Sequence, residues 1–316
     1  GGGGGGARGG GALLFTRHGP VIAEAPEKGR AYALRTGWTE PGMAPYMGSL
    51  KVMQARDYAG YVQALANWGT PSVNHLYAGT DGTIAWHPSG AVPVRPNWNG
   101  LLPVPGDGRY EWAGFLQPGQ QPVKVNPPCG FIATANEMNL PEGWEETGVK
   151  IGFEWLDRSR SERIHAVLAA SDRHDIAGSC RLQNDVHSEI GRRICAVLAG
   201  IGAFEGPAES ARALLAGWDG WASEDSPQAA LFEFWMTRHL KREIGRAFGA
   251  DDATHALLMP YDVQSIAEVI EAPENWFDTA PVETRDALLA RTLAAAWQDL
   301  CQTLGPDSSA WRWGDL

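Results

Sequence analysis

Residues 70–106 read TPSVNHLYAGTDGTIAWHPSGAVPVRPNWNGLLPVPG, and this stretch predicts a β-hairpin that leads into a stiff loop. Two runs rich in apolar and aromatic residues, 72–78 and 83–87, flank the turn sequence GTDG at 79–82. Such a turn favours a hairpin because glycine accepts the positive φ that tight turns require. The stretch therefore predicts two antiparallel strands joined by a short turn.

Two polar residues of this stretch lie at positions where the predicted backbone is well defined. Asn74 falls on the first predicted strand and not in a turn, where asparagine is commonplace. Arg95 falls in the loop that follows, where prolines at 88, 93, 96, 103 and 105 restrict the backbone. Both side chains are therefore expected to be held by well-defined backbone.

An ordered series of motifs resembles the β subunit of the penicillin acylase family, a branch of the N-terminal-nucleophile hydrolases. The resemblance covers most of the chain, and its specificity lies in the order of the motifs. One position differs: Glu137 stands where the family usually has a second asparagine. The matching positions are 16–21, Asn74, 81–82, Arg95, 102–106, 110–114, 130–136, 157–158, Gln183, Asp185, 218–220 and 311–314.

The resemblance implies an α+β fold of the αββα sandwich type, of which this chain would be a central part of the β subunit. It also implies a mechanism in which the amino-terminal Ser, Thr or Cys of that subunit attacks an amide, with its own α-amine as base. A free α-amine has a pKa near neutrality and can activate a hydroxyl. In this scheme Asn74 corresponds to the donor that stabilises the oxyanion, and Arg95 to the arginine that orients the nucleophile.

The beginning of the sequence departs from the family pattern. Residues 1–11 are glycine except for Ala7 and Arg8, and they predict a disordered segment because such a run buries no apolar surface. No Ser, Thr or Cys precedes Thr16. We therefore expect the chain to lack the nucleophile, the α subunit and the remainder of the β subunit, and to be inactive alone.

Composition excludes several other classes of protein. The 316 residues carry a net charge of −11, which argues against nucleic acid as a partner because such partners select basic surfaces. No apolar run approaches the ~20 residues of a membrane span. The four cysteines form no CxxC pair, so zinc is not expected. No cofactor is implied; some family members hold calcium, but no ligands for it are identifiable in this sequence.

The pattern of apolar residues divides the remaining chain into two regions. Residues 12–150 are rich in strand signals and include about 40 residues of Pro/Gly-rich loop, whereas residues 151–316 carry helical periodicity. Besides the hairpin, strands are predicted at 12–15, 19–22, 31–36 and 131–135. Helices are predicted at 53–68, 161–170, 185–199, 208–218, 229–248, 263–270 and 282–304.

Several side chains that suggest chemistry also have structural explanations. His75 follows Asn74 on an alternating strand, so it points to the opposite face and is interpreted as structural. His18 is interpreted as a turn or core residue, and Asp185, near His187, as a capping or packing residue. Trp86, Trp98 and Trp112 suggest a ligand platform, but in a chain with 14 tryptophans they are more commonly core or loop anchors.

The resemblance predicts an amidohydrolase that cleaves the side-chain amide of N-acyl compounds through an acyl-enzyme. The substrate class includes β-lactam antibiotics, with N-acyl homoserine lactones as the alternative. Two rival functions remain open: a non-catalytic relative that keeps the fold, and a binding module built on exposed tryptophans. Many family members are exported in Gram-negative bacteria, and this sequence contains no signal peptide.

Overall fold

The computed structural model describes residues 13–43, 48–66, 68–153, 155–259 and 261–316. The predicted disorder of residues 1–11 concerns positions outside these ranges. The chain divides into two compact units. The first contains the described residues up to Ile132 together with 140–153, and the second contains Ala133–Asn139 and Trp155–Leu316.

In its described residues the first unit contains two three-stranded antiparallel sheets and two short α-helices. One sheet has the order β1-β2-β3 and the other the order β4-β5-β6. The strands are β1 Phe15–Thr16, β2 Gly19–Ala25, β3 Arg30–Ala33, β4 Val73–Ala78, β5 Ile84–Ser89 and β6 Lys124–Val125. The helices are α1 Ser49–Val52 and α2 Tyr58–Leu65.

The predicted hairpin is confirmed as β4 and β5, which pair from Val73↔Ser89 to Ala78↔Ile84. Gly82 has φ of +88°, and the Gly79 N–H donates to the Thr83 carbonyl at 2.8 Å to close the turn. The first face of β4 is half-buried under α2, where Tyr58 and Tyr61 contact Tyr77 with ring centroids 5.4 and 5.0 Å apart. The second face of β4 is exposed.

Three predictions for the first unit are wrong in detail. The helix predicted at 53–68 is interrupted before Tyr58, because the Asp57 carboxylate accepts a hydrogen bond from the Gly60 N–H at 2.8 Å and starts α2 there. The predicted Pro/Gly-rich loop is partly paired: the Val94 N–H donates to the Gly114 carbonyl, the Ala113 N–H to the Val94 carbonyl and the Leu116 N–H to the Val92 carbonyl. The strand predicted at 12–15 is reduced to β1, and Ala12 lies outside the described residues.

The second unit is helical. Its helices are α3 Ser159–Ala169, α4 Ile176–Gln183, α5 Glu189–Gly200, α6 Gly206–Leu215, α7 Pro227–Trp235, α8 Lys241–Ala247, α9 Asp252–Leu258, α10 Val263–Glu271 and α11 Pro281–Leu304. A π-helical segment, Met236–Leu240, joins α7 to α8, so the helix predicted at 229–248 is continuous but not uniformly α. Helix α11 packs against α6 and α7, and α10 packs against α5.

The strand predicted at 131–135 is wrong, because its polar backbone groups bond to side chains and not to a neighbouring strand. The Ala135 N–H donates to Glu137 at 2.7 Å, and Arg160 donates to the Ala135 carbonyl at 2.6 Å. Asn136, the next residue, has φ of +67°, which is incompatible with an extended strand.

Helices α4 and α9 were not predicted, because neither has a buried residue and hence neither has an apolar stripe. Their starts are marked instead by capping aspartates. Asp175 accepts from the Gly178 N–H at 2.6 Å, and Asp251 accepts from the Thr254 N–H at 2.8 Å. The helix predicted at 185–199 begins only at Glu189, where Ser188 is the N-cap.

The core of the second unit contains a polar pair whose hydrogen bond is completely enclosed. The indole N–H of Trp235, which is 0% exposed, donates to Thr292 Oγ1 at 2.9 Å. Thr292 is 2% exposed, and its hydroxyl in turn donates to the Leu288 carbonyl at 2.9 Å. This chain of bonds satisfies the only polar atom of the Trp235 side chain.

We expect Thr292→Val to lower the free energy of unfolding by about 1–3 kcal/mol, because it leaves a buried indole N–H without an acceptor. Thr292→Ser is the matched control, since it keeps the hydroxyl and removes one methyl group. Urea denaturation of the two variants provides the comparison. Equal stability of the Val and Ser variants would contradict the role of this hydrogen bond.

Asp185 forms an ion pair inside the second unit, in agreement with its interpretation as a packing residue. Arg163 donates to both carboxylate oxygens at 3.0 and 2.6 Å, and the His187 N–H donates to Oδ1 at 2.9 Å. The hydrogen bonds from Arg163 hold the pKa of Asp185 below its usual value. The His187 ring packs edge-on against Trp221, so Asp185 and His187 do not form an acid/base pair through their side chains.

The lowered pKa of Asp185 predicts a loss of stability in acid. The unfolded carboxyl titrates near pH ~3.9, so the ion pair stabilises the fold above that pH, and this stabilisation is lost as pH falls through the lower folded pKa. Asp185→Asn should melt at a lower temperature near neutral pH and show a weaker decline between pH ~5 and ~3. The exposed Asp278→Asn serves as control, and an unchanged acid decline in Asp185→Asn would contradict this assignment.

Candidate active site

Asn74 is an exposed residue of β4 whose side-chain amide has one hydrogen bond among the described residues. The indole N–H of Trp86 donates to Asn74 Oδ1 at 2.8 Å. The hairpin register explains this contact, because Asn74 lies opposite Pro88 and hence diagonally across from Trp86 on the same face. The bond occupies the amide oxygen of Asn74 and leaves its NH₂ group available as a donor.

The opposite face of the hairpin carries His75 and His87, which pair across β4 and β5. The ring of His75 packs edge-on against Trp68, with centroids 4.6 Å apart, and His87 Nε2 hydrogen bonds with the Tyr58 hydroxyl at 2.8 Å. Burial lowers the pKa of both histidines, and the charge of His87 lowers that of His75 further. His75 therefore faces away from Asn74, as predicted, and its burial disfavours the charged form of the ring.

Arg95 lies just beyond a short paired segment that brings two distant parts of the sequence together. The Val94 N–H donates to the Gly114 carbonyl, and the Ala113 N–H donates to the Val94 carbonyl, both at 2.9 Å. This pairing places Arg95 beside Trp112. A hydrogen bond stabilises the intervening loop: the Asn97 side-chain NH₂ group donates to the Arg109 carbonyl at 2.7 Å.

The guanidinium of Arg95 is held by aromatic rings and backbone, and not by a carboxylate. Its carbon lies 5.6 Å from the Trp98 ring and 6.0 Å from the Trp112 ring. Gly100, with φ of +91°, leaves room for it, since a Cβ there would lie 3.0 Å from Cζ and Nε. Among the described residues none forms an ion pair with Arg95, and its buried Nε has no hydrogen-bond partner. Burial lowers the pKa of Arg95.

Trp112 connects Arg95 to a cluster of charged side chains. Its other cationic contact is Arg35, at 4.4 Å from the ring. Arg35 donates to Glu111 at 3.0 Å, and the same carboxylate bonds to His18 at 2.7 Å and to Arg17 at 2.8 Å. The hydrogen bond with His18 and the positive charges around it hold the pKa of Glu111 below its usual range. His18 is thus a hydrogen-bond partner of Glu111 in addition to a turn residue.

The structure gives Asn74 and Arg95 separate supports. Asn74 bonds to Trp86, whereas Arg95 contacts Trp98 and Trp112. The sequence patterns did not indicate that these tryptophans support Asn74 and Arg95, although the register of the hairpin could have indicated Trp86. Trp86 is only 1% exposed, so it cannot serve as a ligand platform.

The first unit contains a cavity of about 510 Å³ that is not lined by the predicted catalytic residues. It is lined in part by α2, Trp68, His87 and Phe115, and neither Asn74 nor Arg95 borders it. In the part of the chain that the structure describes, no three His, Cys, Asp or Glu side chains cluster to hold a metal ion. Among the same residues, no helix is both long and apolar enough to cross a bilayer.

Comparison with known proteins places these features in a family. The family model for penicillin amidase matches residues 8–316. An acyl-homoserine lactone acylase of Pseudomonas fluorescens is 30% identical over 96% of this chain and 40% of its own length. The penicillin acylase 2 proenzyme of a Pseudomonas species is 30% identical over 75% of this chain and 30% of its own length. The chain thus spans well under half the length of these relatives.

A solved structure extends the comparison to the fold. Penicillin G acylase from Alcaligenes faecalis superposes with a TM-score of 0.76 over 95% of this chain and 59% of that protein, at 19% identity. The fold is therefore of the N-terminal-nucleophile hydrolase type, with mixed helix and sheet, as predicted from the motifs. Because the family model covers nearly all of the sequence, the chain belongs to the penicillin amidase family.

Proposed function

We propose that the full-length protein hydrolyses the amide bond of N-acyl compounds through an acyl-enzyme. The observation that carries this proposal is the exposed Asn74 amide, whose oxygen is bonded while its NH₂ group has no partner among the described residues. A side-chain amide on a paired strand is a pre-oriented donor of the kind that stabilises an oxyanion. The family match and the acylase relatives support the same reaction class.

The proposed chemistry divides between this chain and a nucleophile that we assign to no described residue. The nucleophile adds to the amide carbonyl while its α-amine takes the proton, and the Asn74 NH₂ group stabilises the negative oxygen of the tetrahedral intermediate. The C–N bond then breaks, and the α-amine returns the proton to the leaving amine. Water hydrolyses the resulting ester or thioester in a second addition at the same carbon.

Arg95 fits an orienting role in this scheme. Among the described residues its buried Nε has no hydrogen-bond partner, and no carboxylate pairs with its charge. A fixed positive charge favours the uncharged form of a nearby amine, because like charges repel. We propose that Arg95 keeps the α-amine of the nucleophile unprotonated and oriented for proton transfer.

The substrate proposal has two candidates that share an N-acyl amide. The resemblance described above is compatible with acylases of β-lactam side chains and with acylases of acyl-homoserine lactones. The relatives favour the lactones, since acyl-homoserine lactone acylases of Pseudomonas match 95–96% of this chain at 28–30% identity. Penicillin G acylase of Escherichia coli matches a similar share, 94%, at only 23% identity.

We expect Asn74→Ala in the full-length protein to lower kcat by about 100- to 1000-fold with little change in KM, because one oxyanion donor is removed. The assay measures release of the free amine from phenylacetyl amides, penicillin G and acyl-homoserine lactones. Asn126→Ala is the matched control, since the Asn126 side chain accepts a hydrogen bond from the Ile84 N–H and is given no catalytic role.

Either of two results would reject the proposal. A kcat in Asn74→Ala close to that of the wild type would remove the oxyanion role. Absence of turnover of every N-acyl substrate by the processed wild type would favour the non-catalytic alternative. The present chain expressed by itself is expected to give no turnover.

For Arg95, we expect Gly100→Ala to reduce kcat about 10-fold or more, because the new Cβ would displace the guanidinium from its place. Arg95→Lys should have a similar effect, since an ammonium lacks the planar fork of arginine. Gly148→Ala is the control. Gly148 has φ of +71°, so an alanine there would meet comparable backbone strain, but its Cβ would have nothing within 4 Å. Equal kcat values for Gly100→Ala and Gly148→Ala would argue against a positional role for Arg95.

A further inference from the structure

Trp86 is one of the most completely buried large side chains of the first unit, and its polar atom is directed at the exposed Asn74. The indole is 1% exposed, and its N–H lies 2.8 Å from Asn74 Oδ1. Within the described chain this is the hydrogen bond that the indole makes. A buried ring is thus attached through a single polar contact to the side chain that is proposed to bind the oxyanion.

The chemistry of this contact fixes which way the Asn74 amide faces. An indole nitrogen can only donate a hydrogen bond, so the atom that faces it must be the amide oxygen. The NH₂ group then faces away from Trp86. An exposed asparagine without such a partner can turn its amide over, which would direct an oxygen and not a donor at a negatively charged intermediate.

The position of Trp86 is itself set by the sheet. Trp86 pairs with Lys124 of β6 on one side and with Leu76 of β4 on the other. The Lys124 ammonium lies 5.6 Å from the indole ring, within cation–π range. Since strand neighbours on both sides fix its backbone and its ring is enclosed, the indole N–H has a constant direction relative to Asn74.

We propose that Trp86 is a positioning residue for the acylase reaction: its indole N–H holds the Asn74 amide with the NH₂ group directed outward to receive the oxyanion. This inference rests on the function proposed above, in which Asn74 is the oxyanion donor. Trp86 acts through Asn74 and does not contact the reacting atoms. Its contribution should therefore disappear when Asn74 is removed.

A double-mutant cycle in the full-length protein tests this dependence. Trp86→Phe should lower kcat about 10-fold without a matching rise in KM, because a fraction of the donor's effect is lost when the amide can rotate. In the Asn74→Ala background the same change should alter kcat by less than about 2-fold, because the two residues act as one unit. Trp144→Phe is the control, since the Trp144 indole donates at 3.1 Å to the Val149 carbonyl.

Substitution by benzothienylalanine at position 86 separates the hydrogen bond from packing. This residue keeps the shape of tryptophan but replaces the N–H by sulfur, so a fold that tolerates tryptophan should tolerate it. It should reproduce the kcat loss of Trp86→Phe. A loss of equal size in the presence and absence of Asn74, or no loss with benzothienylalanine, would overturn the proposal.

A measurement that does not depend on turnover distinguishes this inference from the proposed function. In protein labelled at its tryptophans, the indole N–H resonance of Trp86, assigned by Trp86→Phe, should shift and lose protection from hydrogen exchange in Asn74→Ala. An indole resonance that is unaffected by Asn74→Ala would overturn the positioning contact. If the wild type is inactive but the resonance responds, the proposed function fails while the contact is supported.

Discussion

The register of the β4–β5 hairpin is the constraint on which the candidate site depends. Pairing of Asn74 with Pro88 places Trp86 diagonally next to Asn74 and puts both histidines on the other face. A slip of one residue would turn Asn74 inward and His75 outward, because side chains alternate along a strand. Packing of Tyr58 and Tyr61 against Tyr77 opposes such a slip, since it buries that face under α2.

The two supports of the site differ in their electrostatics. The Asn74 side is neutral, and its orientation depends on one hydrogen bond from a buried indole. The Arg95 side is cationic and lies between aromatic rings, while the neighbouring arginines at 17 and 35 share an ion pair with the Glu111 carboxylate. Pairing of these arginines leaves Arg95 as a positive charge that none of the described carboxylates balances. An uncompensated, partly buried cation favours interaction with a group that the described residues do not supply.

The sequence predicted those strands and helices whose turn residues or apolar pattern lie within their own residues. The GTDG turn fixed the hairpin, and the apolar stripe of α11 gave its bounds to within one residue. Helices α4 and α9 were missed because they bury nothing, and the strand at 131–135 was wrongly predicted because Arg160 and Glu137 satisfy its backbone. The contact of Arg95 with Trp112 joins residues 17 positions apart, and only the pairing of Val94 with Ala113 reveals it. Motif order led us to propose Asn74 and Arg95 as site residues, but it could not show which side chains hold them.

The most direct measurement is a crystal structure of the full-length protein with a boronate that forms a tetrahedral adduct on the nucleophile. The proposed mechanism predicts that Asn74 Nδ2 lies about 2.7–3.1 Å from a boronate oxygen, with Asn74 Oδ1 still bonded to the Trp86 indole. A boronate oxygen held by other donors, with the Asn74 amide directed elsewhere, would contradict it.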